Sequence, residues 1–290
     1  MSETSEKKVK PATTSGKPDF ATLGGLALAA AGIVGGLLLE GGKITDVAQI
    51  TAAMIVLGGT IGAVMVTTPL HIVLSAVKKL TVIFYDKSPS VEAAIDQIIN
   101  YATSARSHGI VALDTEVEKI EDPFLKKALM LAVDGTDLQD LKAMMELEIT
   151  MQEQHGEAEA RVYEAAGGYS PTIGIIGAVL GLIQVMKHLE NIEEVGRGIA
   201  VAFVATVYGV ASANILFLPA ANKIRARLAR SVRMKEMMLE GVCNIAEGLN
   251  PKLIRLRLDA YLKADSPGKK EPAKAKEAAP AAPVQVESNA

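Results

Sequence analysis

Long stretches without a single charge alternate along this chain with stretches dense in charge. Four apolar runs stand out, at residues 20–39, 48–66, 172–186 and 199–221. About 20 apolar residues cross a hydrocarbon core of roughly 30 Å as an α-helix, so the runs predict four membrane spans. The third is entered through Gly167-Gly168-Tyr169-Ser170-Pro171 and carries glycines at 174, 177 and 181. The first carries Gly24, Gly25, Gly32, Gly35 and Gly36, and the second Leu57-Gly58-Gly59-Thr60-Ile61-Gly62. In water each helical glycine costs roughly 0.5–1 kcal/mol against alanine. In lipid, where packing and not the hydrophobic effect joins helices, small residues let backbones approach. The spans are therefore expected to pack closely, with Pro171 fixing the angle at which the third one starts.

The polar stretches divide the rest. Residues 1–18 read as a solvated tail and 19–66 as a membrane hairpin turning at Glu40-Gly41-Gly42-Lys43. Residues 67–85 suggest an interfacial amphipathic helix with Pro69 near its start and Lys78 and Lys79 on its polar side. Residues 86–166 form a helical domain. Its first helix opens at Ser88-Pro89 and buries Val91, Ile95, Ile98 and Ala102 at helical spacing; a second runs from Pro123 to Val133. A long helix follows toward Ala166, announced by Thr136 and Gln139 at capping-box spacing. Residues 167–221 hold spans three and four, joined by a polar loop from Lys187 to Gly198. Residues 222–263 extend the fourth helix to a break at Asn250-Pro251 and add a short helix, and 264–290 are disordered by composition. The fold class is all-α: four transmembrane helices, a large helical loop between the second and third, and a helical C-terminal extension.

Charge orients this arrangement. Four spans put both termini on one side. That side holds the N-terminal lysines, Lys78, Lys79 and the cluster Arg225, Arg227, Arg230 and Arg233; the other holds only Lys43, Lys187 and Arg197. Basic residues favour the cytoplasm, so the termini and the block from Asp86 to Glu164 are expected there. That block has 17 acidic residues against 7 basic ones, a charge the basic stem after span four can pair with.

Composition adds exclusions. The chain is 49% hydrophobic, has a net charge of −3, lacks tryptophan and has one cysteine, Cys243, so it forms no internal disulfide. Basic residues without interleaved aromatics or a recognition motif speak against nucleic acid. No phosphate loop, metal-ligand cluster or nucleophile–base pair is legible, so no enzyme and no cofactor is expected. More telling, none of the four runs contains Asp, Glu, Lys, Arg or His. Proteins that carry ions across membranes usually keep such groups despite a cost of several kcal/mol. Either this chain is a scaffold, or a partner helix supplies the ionisable group. The polar candidates inside the spans are Thr60, Thr206, Tyr208, Ser212 and Asn214, which could equally bond carbonyls one turn back. Outside the spans, Arg106 lies before a loop and Asp114 after it, followed by Glu116, Glu118, Glu121 and Asp122. This is a mixed-sign rim suited to steering a protein partner, or a plain solvated surface.

Tyr169-Ser170-Pro171 leading into span three, Ala205-Thr206-Val207-Tyr208-Gly209 onward to Pro219 in span four, and Arg106…Leu113-Asp114 with Glu121-Asp122-Pro123-Phe124 behind it resemble the flagellar stator A-subunits, MotA and PomA. The likeness covers about residues 20–263. It implies a homo-oligomer, a pentamer, around two copies of a MotB-like B-subunit whose single span carries an aspartate. Pro171, Thr206 and Pro219 would match ion-pathway positions. Arg106 and Asp114 would match the charged pair that engages the rotor, a FliG-like protein; the family often has Glu where Asp114 stands. Ala178 occupies a place where sodium-driven members tend to carry threonine, so the resemblance points to protons, with sodium the alternative. Two rival readings are an ExbB/TolQ-type energiser of outer-membrane processes, against which the 20–66 hairpin argues because those relatives usually have three spans, and a membrane scaffold that conducts nothing.

Overall fold

The computed structural model describes residues 17–86 and 90–265. The helix start expected at Ser88-Pro89 and nearly all of both expected tails lie outside these residues. Ten helices make up the described chain: α1 (Phe20–Leu39), α2 (Ile44–Val47), α3 (Ile50–Thr67), α4 (Leu70–Phe84), α5 (Val91–His108), α6 (Asp114–Val117), α7 (Pro123–Val133), α8 (Leu138–Lys187), α9 (Ile192–Ala246) and α10 (Pro251–Asp265). Four of them, α1, α3, α8 and α9, are long and apolar enough to cross a membrane. One short element escapes the sequence pattern. Lys17–Pro18 (β1) pairs antiparallel with Tyr85–Asp86 (β2), tying the chain before α1 to the end of α4.

Two helices exceed what a bilayer needs. α8 has 50 residues and α9 has 55, so at 1.5 Å per residue they are about 75 and 83 Å long. Their apolar halves pair in the membrane and their polar halves continue into the helical block. The sequence suggested a helix reaching Ala166 and a fresh start at Pro171. Instead Pro171 lies inside α8. A proline there has no amide to give to residue i−4 and its ring crowds that carbonyl. Residue i−4 is Gly167, which has no side chain to add to the crowding, and the helix continues. The loop expected over 187–198 also shrinks. α9 already begins at Ile192, with Asn191 capping Glu193, because the charged residues 193–197 occupy its first, exposed turns. Where Thr136 was expected to cap α8, Asp137 does so, accepting from the Gln139 amide at 2.8 Å.

The polar block has its own core. Ile95 and Ile98 of α5, Phe124, Leu125 and Leu129 of α7, Leu141 and Met145 of α8, Met237 and Val242 of α9, and Ile254 and Leu258 of α10 are buried together. Gly241 permits the closest approach: a methyl there would stand 2.7 Å from Ile98. A second core joins this block to the spans, packing Val64, Ala76, Ala160, Tyr163 and Ile224. Here Glu159, 1% exposed, meets Ser75 and Lys79 of α4, and Tyr163 donates to the Ala76 carbonyl at 2.9 Å. The expected pairing of basic stem with acidic block is present. Arg225 grips Glu157 through Nε and Nη2 at 2.8–3.1 Å and also reaches Glu164 at 2.5 Å.

Candidate functional site

The apolar halves of α8 and α9 meet backbone to backbone, and glycine is what allows it. A Cβ on Gly174 would lie 2.9 Å from the Ala205 carbonyl oxygen and 3.2 Å from Gly209 Cα. One on Gly209 would lie 2.7 Å from the Ser170 oxygen and 3.2 Å from Pro171 Cα; one on Gly181 would meet the Gly198 oxygen at 2.7 Å. α3 covers the other side of this seam, with Ile173 against Gly59 and Ile55 against Gly177. Tyr208 then pins the far end of the bundle, donating to the Val47 carbonyl and accepting from the Gln49 amide at 3.4 Å.

Along the seam the predicted site residues take distinct places. Gly209 rests on Pro171, and Thr206 Cα lies 3.5 Å from where a Gly174 Cβ would stand. Pro171, Gly174, Thr206 and Ala178 thus occupy about two adjacent turns, all but Gly174 half-buried. Thr206 donates to the Ala202 carbonyl at 3.1 Å, so its oxygen keeps lone pairs free to accept. Pro219 is not part of this cluster. Leu218 covers Gly167, which sets Pro219 about one turn below Pro171, on an exposed face turned toward α1.

Near both prolines the helices are irregular. Residues Ser212–Phe217 form a π-helical turn directly ahead of Pro219, a widening that relieves the clash a proline makes with the preceding turn. A second π-helical turn, Met54–Gly58, lies in α3. Ser170, one residue before Pro171, bonds Ser212 at 2.6 Å, joining the proline of one span to the π turn of the other. Ser212 was legible as a polar candidate. Ser170 was quoted only as part of a motif, since nothing in its neighbours reveals a partner 42 positions away.

Between α1 and α9 runs an open groove. Two cavities share Asn214 and Ile215: one of about 370 Å³ reaches Pro219 and Lys223, and one of about 390 Å³ is lined by Ile33 and Thr206. Within the described residues the four membrane stretches contain no Asp, Glu, Lys, Arg or His. The seam can therefore bend, exclude water and offer hydroxyl and carbonyl oxygens, but it cannot itself hold a proton.

The second predicted site lies at the opposite end of the polar block. Arg106 occupies the last turn of α5 and Asp114 the first of α6, both exposed, on either side of Gly109 (φ +85°) and the 3₁₀ turn Ile110–Leu113. Each charge suits the helix end it occupies. Leu113 is fully buried and anchors the turn. Of the following acids, Asp122 caps α7 through the Phe124 and Leu125 amides, both at 2.9 Å, and Glu116 accepts from Ser104 at 3.1 Å. Asp114, Glu118 and Glu121 are left exposed, as is Arg106.

The chain is also similar to known proteins. Residues 116–237 match the MotA/TolQ/ExbB proton channel family and residues 23–106 the motility protein A N-terminal family. Motility protein A of Bacillus subtilis is 35% identical over 85% of this chain and 92% of its own length. Chemotaxis protein PomA of Vibrio alginolyticus is 31% identical over 84% and 94%. Among solved structures, the C. jejuni MotAB structure superposes with a TM-score of 0.82 at 34% identity, covering 86% of this chain and 98% of that one. The flagellar MotAB stator complex from Bacillus subtilis gives 0.79 at 34% identity, covering 85% and 98%.

Proposed function

The chain belongs to the motility protein A branch of the MotA/TolQ/ExbB proton channel family, and on that premise we propose how its geometry serves a motor. It is a flagellar stator subunit that works with MotB, in the bacterial inner membrane. The observation that carries the mechanism is a tightly joined pair of spans without a carboxylate, imidazole or basic side chain. The carboxylate that takes up the ion comes from the partner's span, and this chain builds the wall around it.

In this reading protons enter beside Thr206 and Ala178 and neutralise the partner's aspartate near Pro171. Ionised, that carboxylate is costly to bury; neutral, it packs against the seam. The alternation drives Pro171 and the π turn before Pro219 between two arrangements, both sites being short of backbone hydrogen bonds and cheap to bend. One charge moving through 100 mV releases roughly 2.3 kcal/mol, so torque accumulates over many ions. Ala178 offers a methyl where a hydroxyl could help coordinate sodium, which favours protons. The copies form a ring, a pentamer, around the partner's helices.

The rim of Arg106, Asp114, Glu118 and Glu121 pushes on a FliG-like rotor protein. Lys78, Lys79 and the Arg225–Arg233 cluster set this rim and both termini in the cytoplasm. The match of residues 23–106 to the motility protein A N-terminal family favours the motor over an outer-membrane energiser. Swimming of a stator-deleted strain carrying this chain with its MotB partner tests the reading. Pro171→Val is expected to abolish swimming while the complex still assembles, and full swimming by that variant would contradict the role given to Pro171.

A further inference from the structure

α1 is the least anchored span: none of its residues is buried, and between it and α9 lies the groove that reaches Thr206 and Pro219. Its placement depends on what holds its ends. At the start, one residue joins three elements. The Asp19 amide donates to the Phe84 carbonyl at 2.9 Å, at the end of α4. Its carboxylate accepts from the Thr22 amide at 3.2 Å and meets Lys223 Nζ at 2.5 Å and Arg227 Nη2 at 2.9 Å, both on α9.

The geometry points to Asp19 as a positioning residue, whose carboxylate between Lys223 and Arg227 fixes the first span across the groove lined by Thr206 and Pro219. Three observations support this. Asp19 and Arg227 are each 14% exposed and Lys223 31%, so the contact is partly desolvated and outlasts the screening that weakens surface pairs. Lys223 hydrogen bonding, foremost, and the Thr22 amide and Arg227 hold the Asp19 carboxyl well below the usual carboxylate range, so it stays charged at cytoplasmic pH. Lys223 follows Pro219 by four residues, one helical turn, so bending of α9 at its π turn and proline is transmitted to α1 through this contact.

A capping role alone would not need the charge. Asparagine caps helices as well as aspartate does, so capping predicts that Asp19→Asn is silent, whereas a charge-held latch predicts that it is not. The functional half of this inference rests on the stator reading above; the structural half does not. In a Cys243→Ser background, cysteines at Thr22 and Leu216, which line one cavity, report where α1 stands by their oxidative cross-linking in membranes. Asp19→Asn is expected to slow cross-linking at least threefold and to cut swimming speed with normal accumulation and MotB binding. Asp19→Glu is expected to restore both. Lys223→Gln with Arg227→Gln leaves the cap intact and should reproduce the loss, which keeps the test open if Asp19→Asn does not accumulate. Unchanged cross-linking in Asp19→Asn, or in the double variant, overturns the latch. Failure of the unmutated complex to swim would instead count against the stator reading and leave the cross-linking result standing.

Discussion

Replacing Gly209 by alanine asks the membrane seam for space that it does not have. The added methyl would stand 2.7 Å from the Ser170 carbonyl oxygen, 3.1 Å from Gly174 Cα and 3.2 Å from Pro171 Cα. All three are backbone atoms of α8, so no side chain can rotate away and the two helices must separate. Overpacking of this kind costs about 1–3 kcal/mol. The same substitution at Gly196, where a Cβ meets nothing within 4 Å, gains the helix roughly 0.5–1 kcal/mol. The two variants thus differ by about 1.5–4 kcal/mol, tenfold or more in the population of the closed seam. Detergent-solubilised MotAB complexes carrying either variant can be compared by denaturation midpoint, and their cells by swimming speed. Gly209→Ala should denature earlier than the unmutated complex and swim slowly or not at all, while Gly196→Ala matches or exceeds it. Equal midpoints and equal swimming for the two would refute the reasoning that glycine is there for contact.

Two further outcomes follow from the polar half. Hydrogen bonds from Arg225 hold the Glu157 and Glu164 carboxyls below their ordinary range; depressed carboxylates contribute stability above their unfolded pKa of about 4.3 and lose it as pH falls through the folded one. Arg225→Gln should therefore lower the denaturation midpoint by a similar amount at pH 6 and pH 8, and its difference from the unmutated protein should shrink below about pH 4. Cys243 is half-buried, and burial together with Glu240 pushes its thiol up to about 11. Against its ordinary value of 9.0 the thiolate fraction at neutral pH falls about 100-fold, so maleimide labelling of native membranes should proceed at about a hundredth of the rate after denaturation.

What the sequence made legible was whatever is local. Apolar runs of span length, the helix from Pro123 to Val133, and the pairing of opposite-sign stretches all rest on residues near one another or on bulk charge. Its misreadings share a cause. Pro171 was expected to begin a helix because proline favours first turns, but the seam with Gly209 and the bond from Ser170 to Ser212 hold the helix together through it. Glu159 entered the reading only as one acid in the block's bulk charge, yet it is buried against Ser75 and Lys79, more than 75 positions away. The contact of Asp19 with Lys223 and Arg227 spans over 200 residues and leaves no trace in local periodicity. For the candidate site, the residue types were readable from hydroxyls, glycines and prolines in charge-free runs. Which of them meet was not, because that depends on the register between α8 and α9.

The account turns on a carboxylate that these spans lack and a partner provides. Proton flux into liposomes, driven by a potassium diffusion potential, measures this directly for three preparations: the chain alone, the chain with its MotB partner, and that complex with the partner's membrane aspartate changed to asparagine. Flux is expected only from the second. Flux from the chain alone at the rate of the intact complex would contradict the account.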